Sequence, residues 1–161
     1  LPIYAFAVEL SFLAQRYHQM KRVGELSLFR PMTVSDYSIG KSLVFASVTL
    51  PADEATLFRE LYGIIHKGLP KPDLLVYLHV PIPTLHERIR SRGRLYEQEI
   101  QDGYLERLQE SYLDRLRKLV GVRVLVLDVG GKDLLHDPVA YRHLLDLVAV
   151  ERPIGLVVEH L

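Results

Sequence analysis

The sequence predicts an α/β fold built on a parallel sheet with helices on both faces. Two nearly continuous apolar runs of strand length, 73–80 and 122–128, are typical of strands that are covered on both sides. Segments with apolar residues at helical spacing alternate with these runs, and this alternation favours parallel strands joined by helices. A chain of 161 residues, 48% of them apolar, is expected to fold as one domain over residues 1–161.

Composition excludes several classes of protein. Twenty basic residues balance twenty acidic ones, so no global positive field attracts nucleic acid or anionic lipid. The chain has no cysteine, which excludes disulfides and a thiolate nucleophile. The longest uncharged apolar runs are far shorter than the roughly 20 residues of a membrane span. We therefore predict a cytoplasmic protein that binds neither nucleic acid nor membrane.

The first part of the chain predicts three helices and a short strand. Residues 33–35 are the expected strand, followed by a helix over 38–49 and another that runs from 51 to Gly68. The N-terminal helix is predicted by apolar residues spaced three and four apart, which are Phe6, Leu10, Leu13, Tyr17 and Met20. The third helix is expected to turn four aliphatic residues inward, which are Leu57, Leu61, Ile64 and Ile65.

The segment after the first apolar run predicts two helices around a polar stretch. Thr84 and Glu87 have the spacing of a capping box, which predicts a helix from Thr84 to about Ser91. Residues 92–101 are polar and charged, and helical spacing returns from about Gly103. The inward residues of that later helix are expected to be Leu105, Leu108, Tyr112, Leu116 and Leu119.

The end of the chain predicts one more helix. Asp137 followed by Pro138 is a typical helix start, because proline suits the first helical position. The tail, 152–161, is apolar enough to pack, but its pattern does not assign it to a helix or a strand.

Four arginines lie close together in the stretch RIRSRGR, at positions 88, 90, 92 and 94. Arg88 and Arg92 are four residues apart and share a helix face, and Arg94 lies just beyond the expected helix end. Guanidinium groups that converge near a helix terminus suit the oxygens of a transferring phosphoryl group. The alternative is a solvated face whose arginines pair with neighbouring carboxylates, namely Glu87, Glu97 and Glu99.

Five motifs resemble those of the deoxyribonucleoside kinases, a family that includes bacterial deoxyguanosine and deoxyadenosine kinases. RSRGRLYEQEI and the following GYLERLQESYLDRL resemble the family's lid and the helix after it. KPDLLVYLHV resembles the strand before the lid helix, and YAFAVELSFLAQRYHQM resembles the substrate-binding helix. VSDYSIGKSLVFA resembles the D-R-S or D-Y segment, and LDVGGKDLL resembles the adenine loop. The motifs occur in the family's order from Tyr4 to Leu135. The resemblance implies a P-loop-kinase-like fold with a lid at 92–101.

The resemblance also implies catalytic and ATP-binding residues. The catalytic set would be the lid arginines that contact phosphate, with the acid near the D-R-S position: Arg88, Arg92, Arg94 and Asp36. Tyr37 stands where the family carries an arginine, so that arginine's role has no counterpart here. The ATP-binding residues would be Asp128, Lys132 and Asp133. Asp36 has an alternative role as a helix cap, and the two later aspartates can be loop carboxylates only.

Four residues are implied in binding the acceptor substrate. Glu9 stands where relatives carry a glutamine that contacts the base edge, and Arg16 would assist on the same helix face. Phe45 would stack on the base, and Glu97 would bind the sugar 3′-hydroxyl. The structural alternatives are a solvent-facing Glu9 and a core Phe45. The seven histidines lack the spacing of metal ligands, so no metal-binding residue is predicted.

The motif G-x-x-x-x-G-K-[ST], which cradles donor phosphates, does not occur in these 161 residues. Gly40-Lys41-Ser42 has its last three letters without the first glycine, and we interpret it as coincidence. In the family this loop and the general-base carboxylate lie on earlier strands. We therefore expect the N-terminal strands to be missing from this chain, and the fragment alone to be inactive.

These observations predict a kinase that transfers the γ-phosphoryl group of ATP, with Mg²⁺, to the 5′-hydroxyl of a deoxyribonucleoside in nucleotide salvage. A carboxylate at Glu9 favours a purine, and guanine in particular, because guanine offers two adjacent donors. The alternatives are a nucleoside monophosphate kinase, or a non-catalytic nucleotide-binding or dimerisation module of a larger bifunctional protein. The expected partners are a deoxynucleoside, ATP and a second copy in a homodimer.

Overall fold

The computed structural model describes residues 4–27, 32–36 and 38–161. They form two compact units. Unit 1 comprises the described residues up to Lys71 together with Glu110–Tyr112, and unit 2 comprises Pro72–Gln109 and Leu113–Leu161. Each unit has its own apolar core.

Unit 1 is helical. It contains α1 (Ala5–Ser27), α2 (Gly40–Thr49) and α3 (Ala52–Ile65), and a short 3-10 turn at His66–Gly68 ends the third helix. The stripe predicted for the N-terminal helix is confirmed, because its five residues all lie in or against the core of this unit.

The inward face predicted for α3 is partly wrong. Leu57 is 48% exposed and Ile64 is 70% exposed. The buried residues of this helix are Ala55, Phe58 and Tyr62, which form a second stripe spaced by three and four. Aromatic rings bury more area than aliphatic side chains, so this stripe faces the core and Phe58 meets Phe6 edge to face at 6.3 Å.

The short strand predicted at 33–35 does not form. Residues 32–36 have no regular structure and their side chains are exposed. A strand needs a hydrogen-bonded neighbour, and every strand in the described part of the chain lies in unit 2.

The sheet of unit 2 has three parallel strands in the order β1 (Leu74–His79), β2 (Arg123–Asp128) and β3 (Gly155–His160). The two apolar runs are therefore strands, as predicted. The central strand is β2, and its four inner residues are buried. The tail, whose sequence pattern indicates neither a helix nor a strand, supplies β3, which pairs with β2 along its whole length.

Helices cover both faces of this sheet, which confirms the predicted fold class. Three helices belong mainly to unit 2: α4 (Ile82–Arg92), α5 (Asp102–Arg117) and α6 (Pro138–Ala149). On one face Leu116 of α5 packs against Val124 and Val126. On the other face Leu144 and Leu147 of α6 pack against Leu125 and Leu127.

The starts of α4 and α6 are determined by a proline and by an aspartate cap, and the predicted capping box is not used. The prediction of a cap at Thr84 is wrong, because α4 begins at Ile82 without a side-chain cap. Pro83 sits in the first turn, where its fixed φ favours the helix. The start predicted for α6 is confirmed, since Asp137 Oδ1 accepts hydrogen bonds from the amides of Val139 and Ala140, both at 3.0 Å.

Candidate functional site

A concave pocket of 190 Å³ lies in unit 1, where α1 faces the segment that leads into α2. Four of its residues share one face of α1, at spacings of three, one and three. The pocket is lined by Phe12, Gln15, Arg16, Gln19, Asp36, Ser38 and Lys41. The structure therefore brings together two predicted site residues, Arg16 and Asp36, in one cavity.

Glu9 is buried between α1 and α2 instead of facing solvent. Its Oε1 accepts a hydrogen bond from Thr49 Oγ1 at 3.2 Å, and its Oε2 is buried without a partner among the described residues. Burial raises the pKa of the Glu9 carboxyl above its usual range, and the Thr49 hydrogen bond and the charge of Arg16 oppose that shift only in part. The free oxygen is a strong acceptor that the protein itself leaves unused.

Arg16 lies one helical turn after Phe12, on the face of α1 that meets α2. Its Nη1 donates to Ser42 Oγ at 2.7 Å, and its guanidinium carbon lies 5.4 Å from the centre of the Phe12 ring. Within the described residues, neither Arg16 nor Asp36 forms an ion pair. The pocket thus presents charges that the fold does not neutralise.

Phe45 lies on α2, half-buried, and is not one of the residues that line the pocket. The Lys41 ammonium lies 5.6 Å from the centre of its ring, and Tyr112 meets it edge to face at 6.5 Å. Base stacking by Phe45 therefore stays a prediction, because both contacts are also those of a packed aromatic.

The arginines predicted to form a lid lie in unit 2, on α4 and just beyond its end. Gly93 terminates the helix with φ of 71°, a left-handed conformation that glycine adopts without strain. This turn directs the chain back, so Arg92 Nη1 lies 3.5 Å from Glu97 Oε2 and Arg94 Nη1 lies 3.1 Å from Glu97 Oε1. Glu97 is thereby held between two guanidinium groups, while both arginines remain more than half exposed.

The alternative, in which the arginines pair with neighbouring carboxylates, is therefore confirmed in part, because Arg92 and Arg94 both pair with Glu97. The third predicted lid arginine differs, because Arg88 Nη2 donates to the backbone carbonyl of Lys132 at 3.0 Å. That bond ties the lid helix to the loop that follows β2. The fourth, Arg90, donates from Nε to the carbonyl of His86 on its own helix at 3.4 Å.

The loop after β2 carries the predicted ATP-binding residues at the carboxyl end of the central strand, where ligands bind in open parallel sheets. Asp128 Oδ1 accepts from the Gly130 amide at 2.9 Å, and Asp133 Oδ1 accepts from the Leu135 amide at 3.0 Å. The hydrogen bond with His136 lowers the pKa of Asp133 below its usual range. Both carboxylates thus shape their own loop in this structure.

Five residues of the pocket were not singled out as site residues from the sequence: Phe12, Gln15, Gln19, Ser38 and Lys41. The helical spacing of Phe12, Gln15, Arg16 and Gln19 could have identified the two glutamines. Ser38 and Lys41 depend on where the segment before α2 begins its helix, which local patterning does not define closely.

Among the described residues, no group of three or more potential metal-ligating side chains lies together. No helix among them is long and apolar enough to cross a membrane.

A three-stranded parallel sheet with helices on both faces makes this a P-loop-kinase-like α/β protein. The chain belongs to the deoxynucleoside kinase family, whose model matches residues 2–151. This membership confirms the resemblance noted in the sequence.

Several curated proteins are similar to this chain. A deoxyguanosine kinase of Bacillus subtilis is 32% identical over 137 residues, which cover 82% of this chain and 66% of the relative. A deoxyguanosine kinase of Lactobacillus acidophilus is 33% identical over 114 residues, covering 64% of this chain and 48% of the relative. A deoxyadenosine/deoxycytidine kinase of Bacillus subtilis is 26% identical over 156 residues, covering 91% of this chain and 70% of the relative. The chain therefore spans 66% of the length of the first deoxyguanosine kinase and 48% of the length of the second.

Proposed function

We propose that the protein carrying this chain is an ATP-dependent kinase that phosphorylates the 5′-hydroxyl of a purine deoxynucleoside, with preference for deoxyguanosine. The observation that carries the proposal is Glu9, a buried carboxyl with one unpartnered oxygen on the substrate-binding helix of a deoxynucleoside kinase. The similar proteins include deoxyguanosine and deoxyadenosine kinases, which supports a purine.

The base preference follows from what an ionised carboxyl can do. A carboxylate only accepts hydrogen bonds, and guanine offers its ring N–H beside its exocyclic amine. Two donors on Glu9 would favour its charged form and offset the burial that raises its pKa. Adenine offers one donor beside an acceptor on the corresponding edge, so its ring-nitrogen acceptor would oppose a carboxylate that cannot donate.

The lid supports phosphoryl transfer. Arg92 and Arg94 are exposed donors that already converge on one carboxylate, so they are held near each other before a ligand binds. Guanidinium groups arranged in this way stabilise negative charge that develops on a transferring phosphoryl group. Glu97 between them would accept the 3′-hydroxyl hydrogen bond, and Asp36 is the remaining catalytic candidate.

ATP is the proposed phosphoryl donor, and the loop with Asp128, Lys132 and Asp133 is the proposed contact for it. The bond from Arg88 to the Lys132 carbonyl supports a link between this loop and the lid helix. Mg²⁺ would bridge donor phosphates when bound, and no described residue is assigned to it. A cytoplasmic location stays a prediction.

The base is tested by replacing Glu9 with glutamine in the protein extended upstream to include a donor-phosphate loop. We expect Glu9→Gln to weaken the preference for deoxyguanosine over deoxyadenosine by about 1–3 kcal/mol, because a buried polar partner is then mismatched. The measurement is kcat/KM for the four natural deoxynucleosides.

Glu25→Gln is the matched control, since Glu25 is an exposed carboxylate on the same helix. It should leave the ranking of substrates unchanged. If wild type prefers deoxyadenosine, or if Glu9→Gln leaves the ranking untouched, Glu9 does not contact the base in the way proposed.

We also propose that the chain forms a homodimer through α1 and α3. An exposed row on α1 has the heptad spacing of helix–helix contacts: Tyr4, Ala7, Ser11, Ala14 and His18. The row is nearly symmetric about Ser11, with small residues inside and rings at both ends, which suits pairing with a second copy across a two-fold axis. The Ser11 hydroxyl donates to its own helix at Ala7 O, so burial would leave it satisfied.

The adjacent surface of α3 supports the same partner. A shallow apolar groove of 410 Å³ runs beside the row and is lined in part by Ala14, His18 and Ile64. Ile64 and Leu57 are exposed aliphatic residues seven apart on one face, which a second copy would cover.

Ala14→Glu should convert the dimer to a monomer, because the two-fold axis brings two added charges into one apolar contact. Sedimentation equilibrium of the purified protein measures the association constant. Ala149→Glu, at an exposed alanine in unit 2, is the control and should leave the dimer intact. A monomeric wild type, or an unchanged association constant in Ala14→Glu, would contradict this interface.

A further inference from the structure

Lys41 is the one residue of Gly40-Lys41-Ser42 that the structure turns into a pocket. The spacing before it excludes a phosphate loop, and from the sequence Lys41 is a candidate for a base contact only if it reaches the site. In the structure α2 begins at Gly40, and the second residue of this helix lines the cavity with Asp36 and Arg16.

The surroundings of Lys41 leave its charge available. Its side chain is exposed, and no described carboxylate lies within ion-pair distance of its ammonium group. Its ammonium group lies over the face of Phe45, 5.6 Å from the ring centre. An ammonium group held over an aromatic face keeps its N–H donors free for a ligand in the ring's neighbourhood.

The other groups of the pocket argue against a simple anion as the ligand. Asp36 would repel phosphate, and Gln15 and Gln19 offer both donors and acceptors. The ligand that suits two cations, one carboxylate and two carboxamides carries acceptors on one edge and donors on another. Guanine has this pattern, with its 6-carbonyl and N7 as adjacent acceptors.

We infer that Lys41 is a specificity-determining residue, which donates a hydrogen bond to the 6-carbonyl of a 6-oxopurine deoxynucleoside. This inference rests on the proposed function, since it assigns a base contact within the same acceptor site. Lysine has three N–H donors and no acceptor. The 6-amino group of adenine would therefore meet donors only, so the residue selects against deoxyadenosine.

Lys41→Met tests the inference, because methionine keeps an unbranched apolar side chain and removes the charge. In the upstream-extended protein we expect kcat/KM to fall about 10- to 100-fold for deoxyguanosine and for deoxyinosine, and by less than about threefold for deoxyadenosine. Deoxyinosine keeps the 6-carbonyl but lacks the 2-amino group, so it separates this contact from any contact of Glu9 with that amine. Lys71→Met, at an exposed lysine outside the pocket, is the control and should change none of the three values.

The possible failures are distinguishable. Equal losses on all three substrates, or no loss on any, would overturn the role of Lys41 while the kinase activity of wild type stands. A wild type that phosphorylates no deoxynucleoside would overturn the proposed function, and the inference with it.

Discussion

The 161-residue polypeptide is expected to show no ATP-dependent phosphorylation of any deoxynucleoside. Phosphoryl transfer is catalysed almost entirely by positioning and electrostatic stabilisation, and the donor phosphates need backbone amides and a lysine to hold them. No G-x-x-x-x-G-K-[ST] motif occurs in these residues. Lys41 does not replace it, because its neighbours Asp36 and Ser38 supply a carboxylate and a hydroxyl where the loop would supply glycine amides.

The comparison that tests this expectation uses two proteins in one assay. The 161-residue chain and an upstream-extended protein are each incubated with ATP, Mg²⁺ and the four deoxynucleosides. Turnover by the extended protein alone is the expected result. Circular dichroism of the short chain shows whether it is folded, so that a loss of activity caused by unfolding is recognised. Turnover by a folded short chain would overturn the claim.

In the extended protein, Arg92→Ala and Arg94→Ala are each expected to lower kcat, because each raises the activation free energy by about 2–4 kcal/mol. The effect on KM for the nucleoside should be much smaller, because charge on the phosphoryl oxygens matures only in the transition state. Both guanidinium groups are exposed and converge on Glu97, so neither substitution removes core packing.

Arg90→Ala is the matched control for both lid substitutions. Arg90 lies on the same helix, is exposed, and donates to a carbonyl of its own helix. Its replacement should leave kcat within about twofold of wild type, as is usual for surface substitutions. Unchanged kcat in both Arg92→Ala and Arg94→Ala would favour a solvated charged face over a lid.

Most of the fold was predictable because it rests on apolar periodicity. The strand runs at 73–80 and 122–128 and the stripe on α1 are strong patterns, and each formed where expected. The third strand, Gly155–His160, was not assigned, because its short apolar run suits a helix or a strand equally and only pairing with β2 decides. Leu57 and Ile64 were placed inward because α3 has apolar residues on two faces, and packing alone selects between them.

The candidate site was predictable where it depends on residues of one helix. Arg16 and its helix face follow from spacing, whereas the burial of Glu9 depends on Thr49, forty residues away. The sequence does not place Lys41 in the site, because Gly40-Lys41-Ser42 matches only the last three letters of a phosphate loop. Its place in the pocket follows from the start of α2 at Gly40, a tertiary feature that local sequence does not carry.

The most direct test of the account is a steady-state assay of the upstream-extended protein with ATP and five acceptors: the four natural deoxynucleosides and deoxyguanosine monophosphate. The account predicts that deoxyguanosine has the highest kcat/KM, that deoxyadenosine follows, and that the monophosphate is not phosphorylated. Phosphorylation of the monophosphate alone would identify a nucleoside monophosphate kinase and contradict the account. A folded, dimeric protein that phosphorylates none of the five would equally contradict it and favour a non-catalytic module.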